Sequence, residues 1–121
     1  LEGNEQAVRD ARRTLHDHPA ARLASGRVGA RSVRELAGSF TGGRPDVVVL
    51  DPPRQGAGRE VIEAVGALGA ERIVLVACDP AALARDLGTL LRSGYTLGSM
   101  SALDMFPHTH HFETIAVLER S

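Results

Sequence analysis

Residues 72–80, Arg72-Ile73-Val74-Leu75-Val76-Ala77-Cys78-Asp79-Pro80, decide the fold. The apolar run from Arg72 to Ala77 reads as a strand. Asp79 and Pro80 then supply an N-cap and a first-turn proline. The helix they open carries Leu83, Leu87, Leu90 and Leu91 at helical spacing and stops at Gly94.

The same alternation extends in both directions. Upstream, Asp46-Val47-Val48-Val49-Leu50 is bounded by Thr41-Gly42-Gly43-Arg44-Pro45 and reads as a strand buried on both faces, leaving at Asp51-Pro52-Pro53-Arg54. Between the two strands, Val61, Ile62, Val65 and Leu68 form one apolar helical stripe, with Gly69 placed to end it. Ser32 with Glu35 makes a capping-box pattern for a short helix, after a weak strand signal within residues 21–28. Asn4 reads as the cap of a first helix carrying Val8, Ala11 and Leu15. Downstream, residues 95–101 and 112–118 read as two further strands around the polar loop 103–111.

Strands alternating with helices over short connections imply an α/β fold: a Rossmann-like, mostly parallel sheet with helices on both faces. In such sheets ligands gather at the carboxyl ends of the strands. That rule singles out Glu2, Asp51 and Cys78. Because Leu1-Glu2-Gly3 reads as the end of a strand, the expectation is a piece of a larger domain, shortened on its N-terminal side. Residues 1–121 would then form one unit.

Composition narrows the function. Net charge is −1, so the chain lacks the overall basicity of a free-standing nucleic-acid binder, although all fourteen cations are arginine and can grip phosphates or stack on bases. One cysteine excludes an internal disulfide and a multi-thiolate metal site. No apolar run reaches the length of a membrane span, and a cytoplasmic protein is expected.

Cys78 stands between a strand and a capped helix, where unpaired amides and the helix dipole favour a nucleophilic thiolate, while a small buried hydrophobe is the commoner fate of a lone cysteine. A phosphatase reading fails, since Arg85 comes one position too late to close the phosphate cradle and lies inside a helix. Asp51 sits on a loop stiffened by two prolines, and Arg54 takes the place where methyltransferases of exocyclic amines usually carry a stacking aromatic. Glu113, entering the last strand among Phe112, Ile115 and Val117, is either a used acid near a core or an edge-strand acid in water. His108, His110 and His111 are not completed by thiolates or paired acids, so no metal is expected.

Three stretches, taken in order, carry a resemblance. Asp51-Pro52-Pro53-Arg54-Gln55-Gly56, then Val76-Ala77-Cys78-Asp79-Pro80 leading into Leu83-Ala84-Arg85-Asp86-Leu87, then residues 104–114 from Asp104-Met105-Phe106-Pro107 to Phe112-Glu113-Thr114, resemble the RNA 5-methyluridine methyltransferases. Glu2-Gly3-Asn4 and the helix after it look like that family's second cofactor motif. The resemblance implies a class I methyltransferase fold and S-adenosyl-L-methionine as methyl donor. It implies tRNA or rRNA as substrate, Cys78 as nucleophile and Glu113 as general base. Glu2 and Asp51 would hold the cofactor, and Arg54 would contact RNA. The family's glycine-rich cofactor loop and its RNA-binding domain find no counterpart in these residues, so the chain alone is expected to be inactive. Around Gly26-Arg27-Val28 the adenine-side motif is not clearly matched. A rival expectation is a catalytically silent RNA-binding or assembly domain, and an exposed sheet edge offers a place for a homodimer.

Overall fold

A computed structural model describes every residue except Phe106, His110 and His111. The elements run α1 (Glu5–Thr14), α2 (Ala30–Ala37), β1 (Val47–Leu50), α3 (Arg59–Ala67), β2 (Arg72–Ala77), α4 (Pro80–Arg92), β3 (Tyr95–Leu103) and β4 (Glu113–Arg120). Strand β2 and helices α3 and α4 form where periodicity and capping place them. Asn4 caps α1, its Oδ1 accepting the amides of Gln6 and Ala7 at 2.9 and 3.1 Å. Asp79 caps α4, its Oδ1 accepting the amide of Ala82 at 2.7 Å. The weak strand signal within residues 21–28 is a single parallel bridge between Ser25 and Glu2.

Three local expectations need correction. Helix α2 begins at Ala30, so Ser32 stands in its first turn and not at the cap. Its hydroxyl accepts the amide of Gly29 at 2.9 Å, giving that terminus the partner a glycine cap cannot supply from a side chain. Strand β1 is not buried on both faces: Val47 and Val49 are 49% and 66% exposed. Val48 and Leu50 turn towards the helical layer, whereas nothing described packs over the other two.

The third concerns the sheet, whose order is β1-β2-β4-β3. Only β1 and β2 run parallel, and β4 is antiparallel to both β2 and β3. The α/β class stands, but these four strands are mixed and not mostly parallel. Parallel pairing needs a crossover of a dozen or more residues, which α3 supplies between β1 and β2. The loop 104–112 is too short for one, so β3 turns back on itself into β4.

The core lies between one sheet face and a layer made by α2, α3 and α4, which touch in sequence. Ile73, Leu75, Ala116 and Leu118 meet Ile62, Val65 and Leu90 there. Helices on both faces were expected. Among the described residues α1 joins none of the larger helix–helix or helix–strand contacts, and Val74, Val76, Ile115 and Val117 on the opposite face stay partly exposed.

Tyr95 pins the start of β3 to this core. Its hydroxyl donates to the carbonyl of Ala70 at 3.0 Å in a buried setting. Burial pushes the phenol up from its ordinary value, against the opposing pull of Arg120 and Arg44. Tyr95→Phe leaves that carbonyl without its donor, and a loss of about 1 kcal/mol is expected as a lower urea midpoint of the whole protein. An unchanged midpoint would mean that water replaces the bond at no cost.

Candidate active site

Strand β1 delivers Asp51 and then a stiff turn at its carboxyl end. The amide of Gly56 donates to the carbonyl of Pro53 at 2.8 Å, closing a turn that places Arg54 and Gln55 at its corner. Gly56 has φ +88°, a left-handed conformation that side chains disfavour. A Cβ built there would also meet Asp86 Oδ2 at 2.8 Å, so glycine is required twice over.

Two depressions flank this turn. The smaller is lined by Pro52, Pro53 and Arg54 on one side and by Cys78, Asp79 and Asp86 on the other. Its enclosed volume is about 10 Å³, room for roughly one water and too little to admit a planar ring. The larger is an open groove of about 950 Å³. Glu2 and Arg27 lie along it, as do Val28 and Asp51, and Pro52, Pro53 and Gly56 line both depressions. The turn is therefore a shared wall.

Each residue singled out from the sequence can now be located. Glu2 and Asp51, separated by 49 positions, line the same groove. Glu2 is held by its own backbone: its amide donates to Ala24 at 3.0 Å, its carbonyl accepts from Gly26 at 3.1 Å, and its Oε1 accepts the amide of Asn4 at 2.7 Å. Cys78 and Arg54 line the smaller depression. Cys78 is half-buried with a free thiol, one residue beyond β2 and one before the cap of α4.

Glu113 lines neither depression, but strand register fixes its relation to Cys78. The last partners between β2 and β4 are Ala77 and Thr114. Because the strands are antiparallel, the next residue along β2 is Cys78 and the preceding residue of β4 is Glu113. Opposed residues of an antiparallel pair carry side chains on a common face, with Cβ atoms about 5 Å apart. The register thus puts Cys78 and Glu113, each one residue past the last paired positions, at the same end of the sheet. His110 and His111 fall outside the described residues, and among the described residues no three metal-binding side chains gather.

The sequence assigns no role to three residues that line these depressions. Arg27 and Val28 join Glu2 and Asp51 around the groove, and Val28 is an exposed apolar residue with no core to explain it. Asp86 stands in the interior of α4 yet is only 6% exposed. An acid on the apolar side of a helix was the available signal.

A parallel pair continued by an antiparallel hairpin, with a ligand-sized groove beside β1, fits an α/β domain of the class I methyltransferase type. The chain belongs to the tRNA (uracil-5-)-methyltransferase family, whose sequence model matches residues 23–121. It is 46% identical over 119 residues to an uncharacterized RNA methyltransferase of Streptomyces avermitilis, covering 98% of this chain and 26% of that protein. A 23S rRNA (uracil(1939)-C(5))-methyltransferase of Vibrio parahaemolyticus is 54% identical over 76 residues, which are 63% of this chain and 17% of that one. Among solved structures, the Pyrococcus abyssi tRNA (uracil-54, C5)-methyltransferase in complex with S-adenosyl-L-homocysteine superposes with a TM-score of 0.74 at 31% identity, over 98% of this chain and 28% of that one. A precorrin-6y C5,15-methyltransferase of Geobacter metallireducens, with a TM-score of 0.62 at 20% identity, shares the fold alone; it covers 98% of this chain and 63% of that one. The chain spans about a quarter of the length of the Streptomyces relative.

Proposed function

We propose that this chain forms the catalytic face of an S-adenosyl-L-methionine-dependent RNA methyltransferase that makes 5-methyluridine in tRNA or rRNA through a covalent Cys78–uracil adduct. What supports this reading is that Cys78 lines the depression beside the proline turn while strand register puts Glu113 at the same end of the sheet.

The groove residues fit a nucleoside cofactor. Carboxylates at Glu2 and Asp51 suit ribose hydroxyls and a cationic sulfonium, and Val28 offers an apolar face to a base. When bound, S-adenosyl-L-methionine supplies an electrophilic methyl group. The chain's own residues do the rest. Carbon 5 of uracil is a weak nucleophile until the Cys78 thiolate adds to carbon 6, forming a C–S bond and pushing the ring's electron pair into an enolate. Carbon 5 then forms its bond to the methyl group. Glu113 removes the proton left at carbon 5, the ring's double bond re-forms, and the C–S bond breaks to return the thiolate. Arg54, at the corner of the turn, contacts RNA phosphate or an unstacked base. The target uridine has to leave its stack, since the space beside Cys78 admits no duplex.

The test is transfer of labelled methyl from S-adenosyl-L-methionine to unmodified tRNA and rRNA by the whole protein, with the product nucleoside identified. Label at carbon 5 of uridine is expected. RNA binding without any transfer would instead mark a silent assembly domain.

The 121-residue chain by itself is expected to be inactive, because one flank of its groove is open along β1. Titration calorimetry should find S-adenosyl-L-methionine binding weaker than about 1 mM. Micromolar binding by this chain alone would show that the groove needs no further walls. The bare flank of β1 also gives a second copy a place to pair, which is the basis for proposing a homodimer.

A further inference from the structure

An acid in a helix interior, buried on the apolar side, needs a reason to be there, because a carboxylate taken out of water without partners is costly. Asp86 has one that reaches across the site. Its Oδ2 accepts the backbone amide of Ala57 at 2.9 Å, a residue 29 positions earlier and just past the proline turn. On the same helix, the Arg85 guanidinium reaches the carbonyl of Gln55 at 3.4 Å, a long and exposed contact. Gly56 lies between these two anchors, and the 2.8 Å approach of a built Cβ to Asp86 Oδ2 shows how closely the carboxylate is seated against it.

We infer that Asp86 is a positioning residue, a buried clamp that holds the turn carrying Pro52, Pro53 and Arg54 at a fixed height over Cys78. The argument is one of connectivity. Cys78 and Asp86 belong to one rigid unit, since Asp79 caps the helix that bears Asp86 and Cys78 immediately precedes that cap. Arg54 belongs to a loop that the same helix also reaches through the weaker Arg85 contact to Gln55. A charge-assisted bond from a buried carboxylate is the stronger of the two and fixes the gap between loop and thiol. Asp86 touches no reacting atom in this scheme and acts through the turn.

This inference rests on the function proposed above for its kinetic readout, but its structural readout does not. In the whole protein, Asp86→Ala should free the Ala57 amide to fast hydrogen exchange while the amides of β2 and β4 stay protected. The same variant should lower kcat/KM for RNA methylation by about 10²-fold, the order expected when a reacting group is displaced by about an ångström. Asp86→Asn keeps an oxygen acceptor of the same size and should restore most of both. Gly56→Ala should also disturb the turn, and because φ +88° strains alanine there whether or not Asp86 is present, the double variant should be worse than Asp86→Ala alone. Arg85→Ala should change little.

Protection of the Ala57 amide and full activity in Asp86→Ala would overturn the clamp, as would an Asp86→Asn variant as impaired as the alanine one. If Asp86→Ala fails to fold, Asp86→Asn still decides: it must keep both the protection of the Ala57 amide and the activity. If the unaltered protein methylates no uridine, the functional proposal fails alone, and exchange at Ala57 still judges the clamp.

Discussion

Cys78→Ala is expected to remove methyl transfer altogether, by at least about 10⁴-fold in kcat, or ~5.5 kcal/mol of barrier. The size of the effect follows from the chemistry assigned to the thiolate. Without addition to carbon 6, no electron pair reaches carbon 5, and a carboxylate such as Asp79, whose Oδ1 accepts the Ala82 amide as a helix cap, is a far weaker nucleophile than a thiolate. Serine should fail with alanine, since its hydroxyl is far less nucleophilic than a thiolate. A direct check is RNA carrying 5-fluorouridine, whose fluorine cannot leave as a proton, so the adduct should persist as a protein–RNA band that survives denaturation. Mass mapping should place the bond on Cys78. A variant lacking the thiol that still methylates would end the assignment.

The second large effect is expected at Glu113. Glu113→Gln should permit addition and methylation but stall the step that removes the proton from carbon 5, so turnover should fall by about 10²- to 10⁴-fold while adduct accumulates on unmodified RNA. That pattern differs from the cysteine variants, in which neither turnover nor adduct appears. A glutamine variant with ordinary turnover would leave Glu113 as a strand-end acid. One with neither adduct nor turnover would mean that it shapes the site before addition.

Much of this arrangement was legible in the residues because the local signals were strong and agreed with one another. Asp79-Pro80 could hardly open anything but a helix, and the run from Ile73 to Val76 fits little but a buried strand, so Cys78 was placed between them before any coordinates. Glu2, Asp51 and Cys78 were grouped by one topological rule, and they do border the two adjoining depressions. The partnership of Cys78 with Glu113 was not a matter of local pattern. It depends on β4 entering the sheet between β2 and β3, a long-range choice that the alternation of residues 113–118 does not encode.

The errors have the same origin. Val47 and Val49 look like core residues because β-branched runs usually are, but burial is set by what packs against a strand, and no described element covers them. Asp86 was passed over because its role depends on a backbone amide 29 residues away. The resemblance supplied its neighbours as a motif without saying what the acid does. The capping reading of Ser32 identified the correct side chain and the wrong position, since a glycine had taken the cap itself.

One wall serving two ligands has a thermodynamic consequence. If the turn of Pro52, Pro53 and Gly56 borders both the cofactor groove and the mouth beside Cys78, whatever steadies it for one guest also alters its readiness for the other. The two affinities are then linked, and each guest must shift the other's by the same factor.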